Sequence, residues 1–238
     1  MIELENISVK FGGVIALDTV SARFEKPISG IIGPNGAGKT TMMNVISGFL
    51  QSSGQLLFDG EDLTRLSPHG RARWGLRRSF QREQLADDLS VVDNLKVLLD
   101  SLPGARAEKQ NDLDRVLEIT GLTGRADTLA TDLNTYERRL TDVARCLIGS
   151  PRLVMFDEPA GGLGAEETDR LGDLILRISE LTGALTLVID HDVDLIKRIC
   201  AQTLVLDFGR QIAFGETKTV LQDAKVRSAY LGLAEEVG

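Results

Sequence analysis

The chain has 238 residues, 42% hydrophobic and 26% charged, with 24 Gly and 6 Pro, a composition that excludes disordered, collagen-like and coiled-coil classes. Its net charge of −8 has the wrong sign for general attraction to nucleic acid, so any phosphate recognition has to be local. Two cysteines, Cys146 and Cys200, lack metal or redox spacing and read as buried thiols of a cytosolic protein. No run approaches the roughly 18 apolar residues of a membrane span. Met1-Ile2-Glu3-Leu4-Glu5 lacks the basic-then-apolar pattern of a secretory leader.

Apolar residues alternate from the start: Ile2 and Leu4, then Ile7, Val9 and Phe11, the period of half-buried strands. The stretch 24–32 ends in Ile31-Ile32 ahead of a glycine-rich loop. Residues 40–50 then read as a helix with Met43, Ile46 and Leu50 on one side. Residues 55–58 form a strand running into the Asp59-Gly60 turn. The middle changes character. Ser90 with Asp93 resembles a capping box for a helix over 91–99, and helical spacing from Leu113 to Thr120 stops at Gly121, a C′ residue. Leu140, Val143, Ala144, Leu147 and Ile148 set a third helix over 136–148.

Beyond it, residues 153–156 and 185–189 are short apolar runs suited to strands covered on both faces. An amphipathic crossover helix over 166–181 joins them. Residues 204–206 and 211–214 flank Asp207-Phe208-Gly209-Arg210, a hairpin turn. The expected architecture is α/β: a mixed β core from 1–84 and 149–238, with a mainly helical insert over 85–148.

Gly33-Pro34-Asn35-Gly36-Ala37-Gly38-Lys39-Thr40 lies between a strand and a helix and fits the P-loop pattern. The glycines let backbone N–H groups converge on phosphate oxygens at a helix N-terminus. Lys39 adds a point charge, and Thr40 offers its hydroxyl to Mg²⁺. The strand 153–156 ends in Asp157-Glu158, where one carboxylate suits the metal and the next suits polarising a water. His191 follows another buried strand, whereas His69 reads as turn decoration. Gln81 offers a neutral amide to Mg²⁺ or the attacking water. Phe11 suits either the core or stacking on a base. The run Arg71-Ala72-Arg73-Trp74-Gly75-Leu76-Arg77-Arg78 reads either as a solvated helix face and strand start or as an electrostatic contact to a membrane partner or anionic headgroups.

In this order, Gly33 to Thr41, Gln81, Phe156-Asp157-Glu158-Pro159 and His191 resemble an ABC transporter nucleotide-binding subunit over essentially the whole chain. More narrowly, the chain is similar to the ATPases of branched-chain amino acid importers. That likeness rests on Phe11-Gly12-Gly13 with Ala16-Leu17-Asp18, on residues 158–163, and on residues 226–232. The resemblance implies the P-loop NTPase fold of ABC ATPases in a single domain, with ATP and Mg²⁺ as cofactors. It makes 33–41 the Walker A loop, Phe11 the adenine-stacking residue, and Thr40, Gln81 and Asp157 the metal-side groups. Glu158 becomes the general base and His191 the γ-phosphate switch. It further implies membrane-spanning permease subunits as partners, a periplasmic or extracellular solute-binding protein reached indirectly, no nucleic acid, and a peripheral place on the cytoplasmic membrane face.

Two departures stand out. Aligning Ala144-Arg145-Cys146-Leu147 with the family's helix puts Leu133-Asn134-Thr135-Tyr136-Glu137 where a Leu-Ser-Gly-Gly-Gln signature belongs, and no glycine occurs between Gly124 and Gly149. Gly161-Gly162-Leu163-Gly164 carries glycine where the family usually has Asp. Because each ATP in the family's dimer lies between one Walker A and the other subunit's signature, the first departure points to a second, unlike ATPase. Two other readings stay open: a low-turnover regulatory subunit, and an ABC-type ATPase acting outside transport.

Overall fold

The computed structural model describes residues 1–230, so Leu231 and Gly232 of the C-terminal likeness lie outside the described residues. The first alternating segments form one hairpin, β1 (Ile2–Phe11) and β2 (Val14–Phe24), which turns over Gly12 at φ 57°. β4 (Ser53–Phe58) and β5 (Glu61–Asp62) extend it into an antiparallel sheet of order β2-β1-β4-β5. β3 (Ile28–Ile32) leaves this sheet because all five of its residues are buried, and a strand covered on both faces belongs in a sandwiched sheet. Its partners are β6 (Leu76–Arg78), β7 (Leu153–Asp157), β8 (Leu185–Ile189), β9 (Gln202–Asp207) and β10 (Arg210–Glu216). They order as β10-β9-β3-β8-β7-β6, parallel except for β10.

β7 shows why its first four residues are all apolar. Leu153 and Met155 enter the core shared with the antiparallel sheet and α1 (Lys39–Ile46), while Val154 and Phe156 enter the core shared with the helices on the opposite face. Those helices include α3 (Val91–Asp100), α4 (Arg106–Thr120), α5 (Thr135–Leu147), α6 (Ala165–Thr182) and α7 (Val193–Ile199). Residues 91–147 contribute no strand to either sheet. The Ser90 hydroxyl accepts the Asp93 N–H at 3.2 Å, and α4 stops at Gly121 with φ 71°, both as the sequence suggests. α4 begins well before the periodic stretch because its first two turns, from Arg106 to Asp112, carry no large apolar residue to betray them.

The arginine run differs from both sequence readings. Pro68 opens a further helix, α2 (Pro68–Trp74), capped by Ser67, so His69 sits in a helical first turn instead of a loop. Arg71 is buried against the end of α1. Its Nη1 donates to Val45 O (2.5 Å) and Ile46 O (2.7 Å), its Nε to Leu66 O and its Nη2 to Thr64 O. A helix leaves its last carbonyls without partners, and a cation there satisfies them and opposes the helix dipole. Gly48 makes room: at φ 81°, a Cβ there would stand 3.0 Å from Arg71 Nε. Arg77 is likewise buried and donates to Ala72 O, Leu76 O and Ile148 O. Arg71, Arg77 and Arg78 therefore join elements inside the fold, and of the run's residues only Arg73 is exposed.

Candidate functional site

The glycine-rich loop begins where β3 ends and α1 starts. Two of its glycines are dictated by space. A Cβ on Gly33 (φ 151°) would fall 2.1 Å from Leu206 O, and one on Gly38 (φ 102°) would fall 2.8 Å from Ala16 O. Gly38 is also the N-cap of α1 and brings no side chain to satisfy the first N–H groups. Those donors stay available at the positive end of the helix, the arrangement that suits phosphate. Lys39 folds over the loop, its Nζ donating to Gly33 O (2.7 Å) and Pro34 O (3.0 Å). Burial lowers its pKa, an effect opposed by the Glu158 and Asp157 carboxylates.

Around the loop lies a cavity of about 460 Å³, lined by residues 35–41, Gln81, Glu158, residues 14–16 and Phe208. The structure brings together most of the residues that the sequence singles out. Asp157 closes β7 and is buried, its Oδ2 accepting from Arg78 Nη2 at 2.8 Å. Glu158 follows at φ 51°, a left-handed backbone for a side-chain-bearing residue, and its Oε2 accepts from Gln81 Nε2 at 2.9 Å. Thr40 and Thr41 lie in the cavity wall at the start of α1.

Two expected residues stand apart. Phe11 is 53% exposed, paired with Val14 at the hairpin end and outside the cavity lining, and the aromatic ring in that lining is Phe208, which is 85% exposed in the β9–β10 turn. His191 follows β8 with its side chain 66% exposed, also outside the lining. Its neighbour Asp190 is buried and links three segments. Asp190 Oδ2 accepts from Ala160 N (3.1 Å), Oδ1 accepts from Asp192 N (3.0 Å), and His191 Nδ1 lies 3.6 Å from Oδ1. Burial raises the Asp190 pKa despite these hydrogen bonds. Sequence reasoning missed Asp190, Arg78 and Phe208. The signal for Asp190 was a carboxylate directly after a mostly apolar strand, close to the pattern that marked Asp157.

Residues 133–137 sit at the N-terminus of α5, and their geometry is that of a closed cap. Asn134 Oδ1 accepts from Glu137 N (2.8 Å), Glu137 Oε2 accepts from Asn134 N (3.1 Å), and Arg125 Nε pairs with Glu137 Oε1 (2.8 Å). Tyr136 packs partly buried onto the helical core. The Asn-x-x-Glu spacing of a capping box was legible in the sequence. Gly164 then caps α6, with its N–H donating to Glu167 Oε2 at 3.1 Å.

Beside Gln81, a groove of about 190 Å³ runs between the sheet core and the helical section, with Phe49, Phe80, Leu98, Arg78, Asp142 and Arg145 in its wall. Asp142 is 2% exposed and its Oδ2 has no hydrogen-bond partner among the described residues. Burial pushes its carboxyl from 3.8 up to about 6; Arg145 and Arg139 oppose the rise and Glu83 adds to it. A carboxyl with a raised folded-state pKa contributes stability that is complete below about pH 4 and is lost as pH climbs through about 6. Asp142→Asn is therefore expected to gain on the order of 2 kcal/mol over the parent at pH 8, a rise of several degrees in Tm, and to match it near pH 4. Thermal melts of both chains across that range check this; a difference that does not change with pH contradicts it.

Comparison with known proteins agrees with the geometry. A family model described as ABC transporter matches residues 18–161, from within β2 to just beyond Glu158. The chain is 34% identical to the high-affinity branched-chain amino acid transport ATP-binding protein BraF of Pseudomonas aeruginosa and 32% identical to LivG of Escherichia coli, covering 98% of each chain in both cases. Its fold is similar to that of MJ1267, an ATP-binding cassette of an ABC transporter, in its ADP conformation, with a TM-score of 0.87 and 28% identity over 98% of this chain and 99% of that one. A nucleotide-free cassette matches with a TM-score of 0.84 and 29% identity, over 99% of each. A glycine loop shaped for phosphate, a paired Gln81 and Glu158 beside it, and likeness along the full length lead to one conclusion: this chain belongs to the ABC transporter family and has the ABC ATPase fold.

Proposed function

We propose that the chain is the ATP-binding and hydrolysing subunit that powers an ABC importer of branched-chain amino acids or similar small polar solutes, held on the cytoplasmic face of the membrane by permease subunits. The observation that carries the reading is the hydrogen bond from Gln81 Nε2 to Glu158 Oε2 in the cavity around the phosphate loop, which supports Glu158 as the acceptor of an attacking water's proton. Thr40, Asp157 and Gln81 offer only oxygen donors on the metal side. Among the described residues no cluster of three or more His, Cys, Asp or Glu could hold a metal ion. That donor set fits magnesium, which keeps its waters and completes its shell with substrate phosphates. Magnesium bound there would neutralise charge on the β- and γ-oxygens.

The chain's own groups do the remainder. Lys39 exchanges two backbone carbonyls for phosphate oxygens, the uncapped N-terminus of α1 donates to the phosphates, Gln81 orients Glu158, and Glu158 takes the proton of the water. Asp190 ties the segment after Glu158 to the His191 loop; His191 itself lies outside the cavity lining, and its role as the γ-phosphate switch rests on the family resemblance. No described helix is long and apolar enough to cross a membrane; the permease subunits would dock at the groove beside Gln81. The capped N-terminus of α5 favours a second reading, a regulatory subunit of low turnover.

Reconstituting the chain in liposomes with its membrane subunits, partner ATPase and solute-binding protein tests both. ATP-dependent uptake of leucine, lost when Lys39 is replaced by Ala, is the expected result. ATP-dependent uptake that persists with Lys39→Ala would leave the partner as the motor and support the regulatory reading.

A further inference from the structure

Arg78 makes an arrangement that the phosphate loop and the two carboxylates do not explain. Its side chain and that of Asp157 are 5% and 6% exposed, and its guanidinium touches three elements at once. Nη2 donates to Asp157 Oδ2 on β7 at 2.8 Å. Nη1 donates to Asn44 Oδ1 at 2.7 Å and Ser47 Oγ at 2.9 Å, both on the α1 segment. The same group lies 4.9 Å from the centre of the Phe80 ring, one residue before Gln81. Buried ion pairs add little net stability, because desolvating both charges cancels most of their attraction. A fork of this kind is better suited to fixing geometry.

What it fixes follows from helical spacing. Asn44 and Ser47 stand four and seven residues after Thr40, on the same face of α1, so they share a rigid body with the Thr40 hydroxyl. The opposite end of the fork holds Asp157. The guanidinium thus sets the separation between the two oxygen donors assigned to magnesium. It also commits one Asp157 oxygen, leaving Oδ1 alone for the metal side.

We infer that Arg78 is a positioning residue for magnesium: it bridges Asn44, Ser47 and Asp157 so that Thr40 and one oxygen of Asp157 face the metal at a fixed spacing. The inference rests on the magnesium and ATP reading above. Lysine cannot replace arginine here, since a single ammonium on a flexible stem does not span the three acceptors in one plane.

The test uses the full chain and a fluorescent ATP analogue, titrated first in EDTA and then with increasing Mg²⁺. In Arg78→Met the Mg²⁺ concentration at half-saturation is expected to rise about tenfold, with metal-free affinity within about twofold of the parent. Arg78→Lys is expected to fall between the two. Asn44→Ala keeps the guanidinium but removes an anchor; it should shift the midpoint in the same direction by a smaller factor, and it serves should Arg78→Met not fold. An unchanged midpoint, with only Tm lowered, would make Arg78 a structural residue and overturn the inference. A lowered midpoint would overturn it too, by showing that the guanidinium competes with the metal. Absence of any Mg²⁺ dependence in the parent would instead refute the underlying reading of the site.

Discussion

Glu158→Gln is expected to reduce ATP hydrolysis by roughly two to four orders of magnitude while leaving MgATP affinity within about threefold of the parent. The amide has the shape of the carboxylate and its oxygen can still accept from Gln81 Nε2, so the cavity is preserved. What is lost is a base that accepts the water's proton as the phosphorus–oxygen bond forms. With chemistry blocked and binding intact, the variant should accumulate as an ATP-bound dimer with the cognate ATPase. Lys39→Ala gives the opposite pattern, since it removes a charge from the phosphates and weakens binding itself. Steady-state turnover and nucleotide titration on the same preparations separate the two. Turnover by Glu158→Gln within a few-fold of the parent would remove Glu158 from the mechanism.

Restoring Ser-Gly-Gly-Gln over residues 134–137 is expected to raise turnover of the isolated chain by about one to two decades per productive contact regained. The family's signature presents a hydroxyl and closely approached N–H groups to the γ-phosphate from a helix N-terminus. Here the Asn134 amide and the Glu137 carboxylate already occupy that terminus, and Glu137 would place a negative charge toward a phosphate. Each lost charge-assisted hydrogen bond costs about 1.5–3 kcal/mol in the step it supports. The replacement puts Ser at the N-cap and Gln three residues on, itself a capping box, so α5 should tolerate it. In the parent, adding an unlike partner ATPase with an intact signature should have the same effect. Vigorous turnover by the unaltered chain alone, insensitive to the restoration, would show the altered signature to be harmless and unequal sites unnecessary.

How much was legible depended on which force wrote each feature. β7 and β8 were visible because a strand covered on both faces is mostly apolar, as Leu153 to Phe156 and Leu187 to Ile189 are. The phosphate loop was visible because a Cβ at Gly33 or Gly38 would clash with a backbone carbonyl oxygen, 2.1 Å and 2.8 Å away, which fixes glycine there. Arg71, Arg77 and Arg78 were misread because charge is ordinarily a surface signal, and only the fold shows the carbonyls and carboxylate that let them be buried. The first half of α4 was invisible for the converse reason, being helical without an apolar face. Phe208 gave no sign, since a ring in a hairpin turn has no periodicity to belong to.

The backbone at Glu158 carries one more implication. A residue with a side chain held at φ 51° is strained relative to glycine or asparagine, by about 1 kcal/mol or somewhat more. Directed evolution that rewards heat resistance alone should therefore drift at this position toward Gly or Asn, and with Glu158 as the proposed base each such winner would be a sturdier protein that no longer hydrolyses ATP. A thermostabilised version of this chain would have to be selected with hydrolysis kept in the screen, because at this position durability and activity pull in opposite directions.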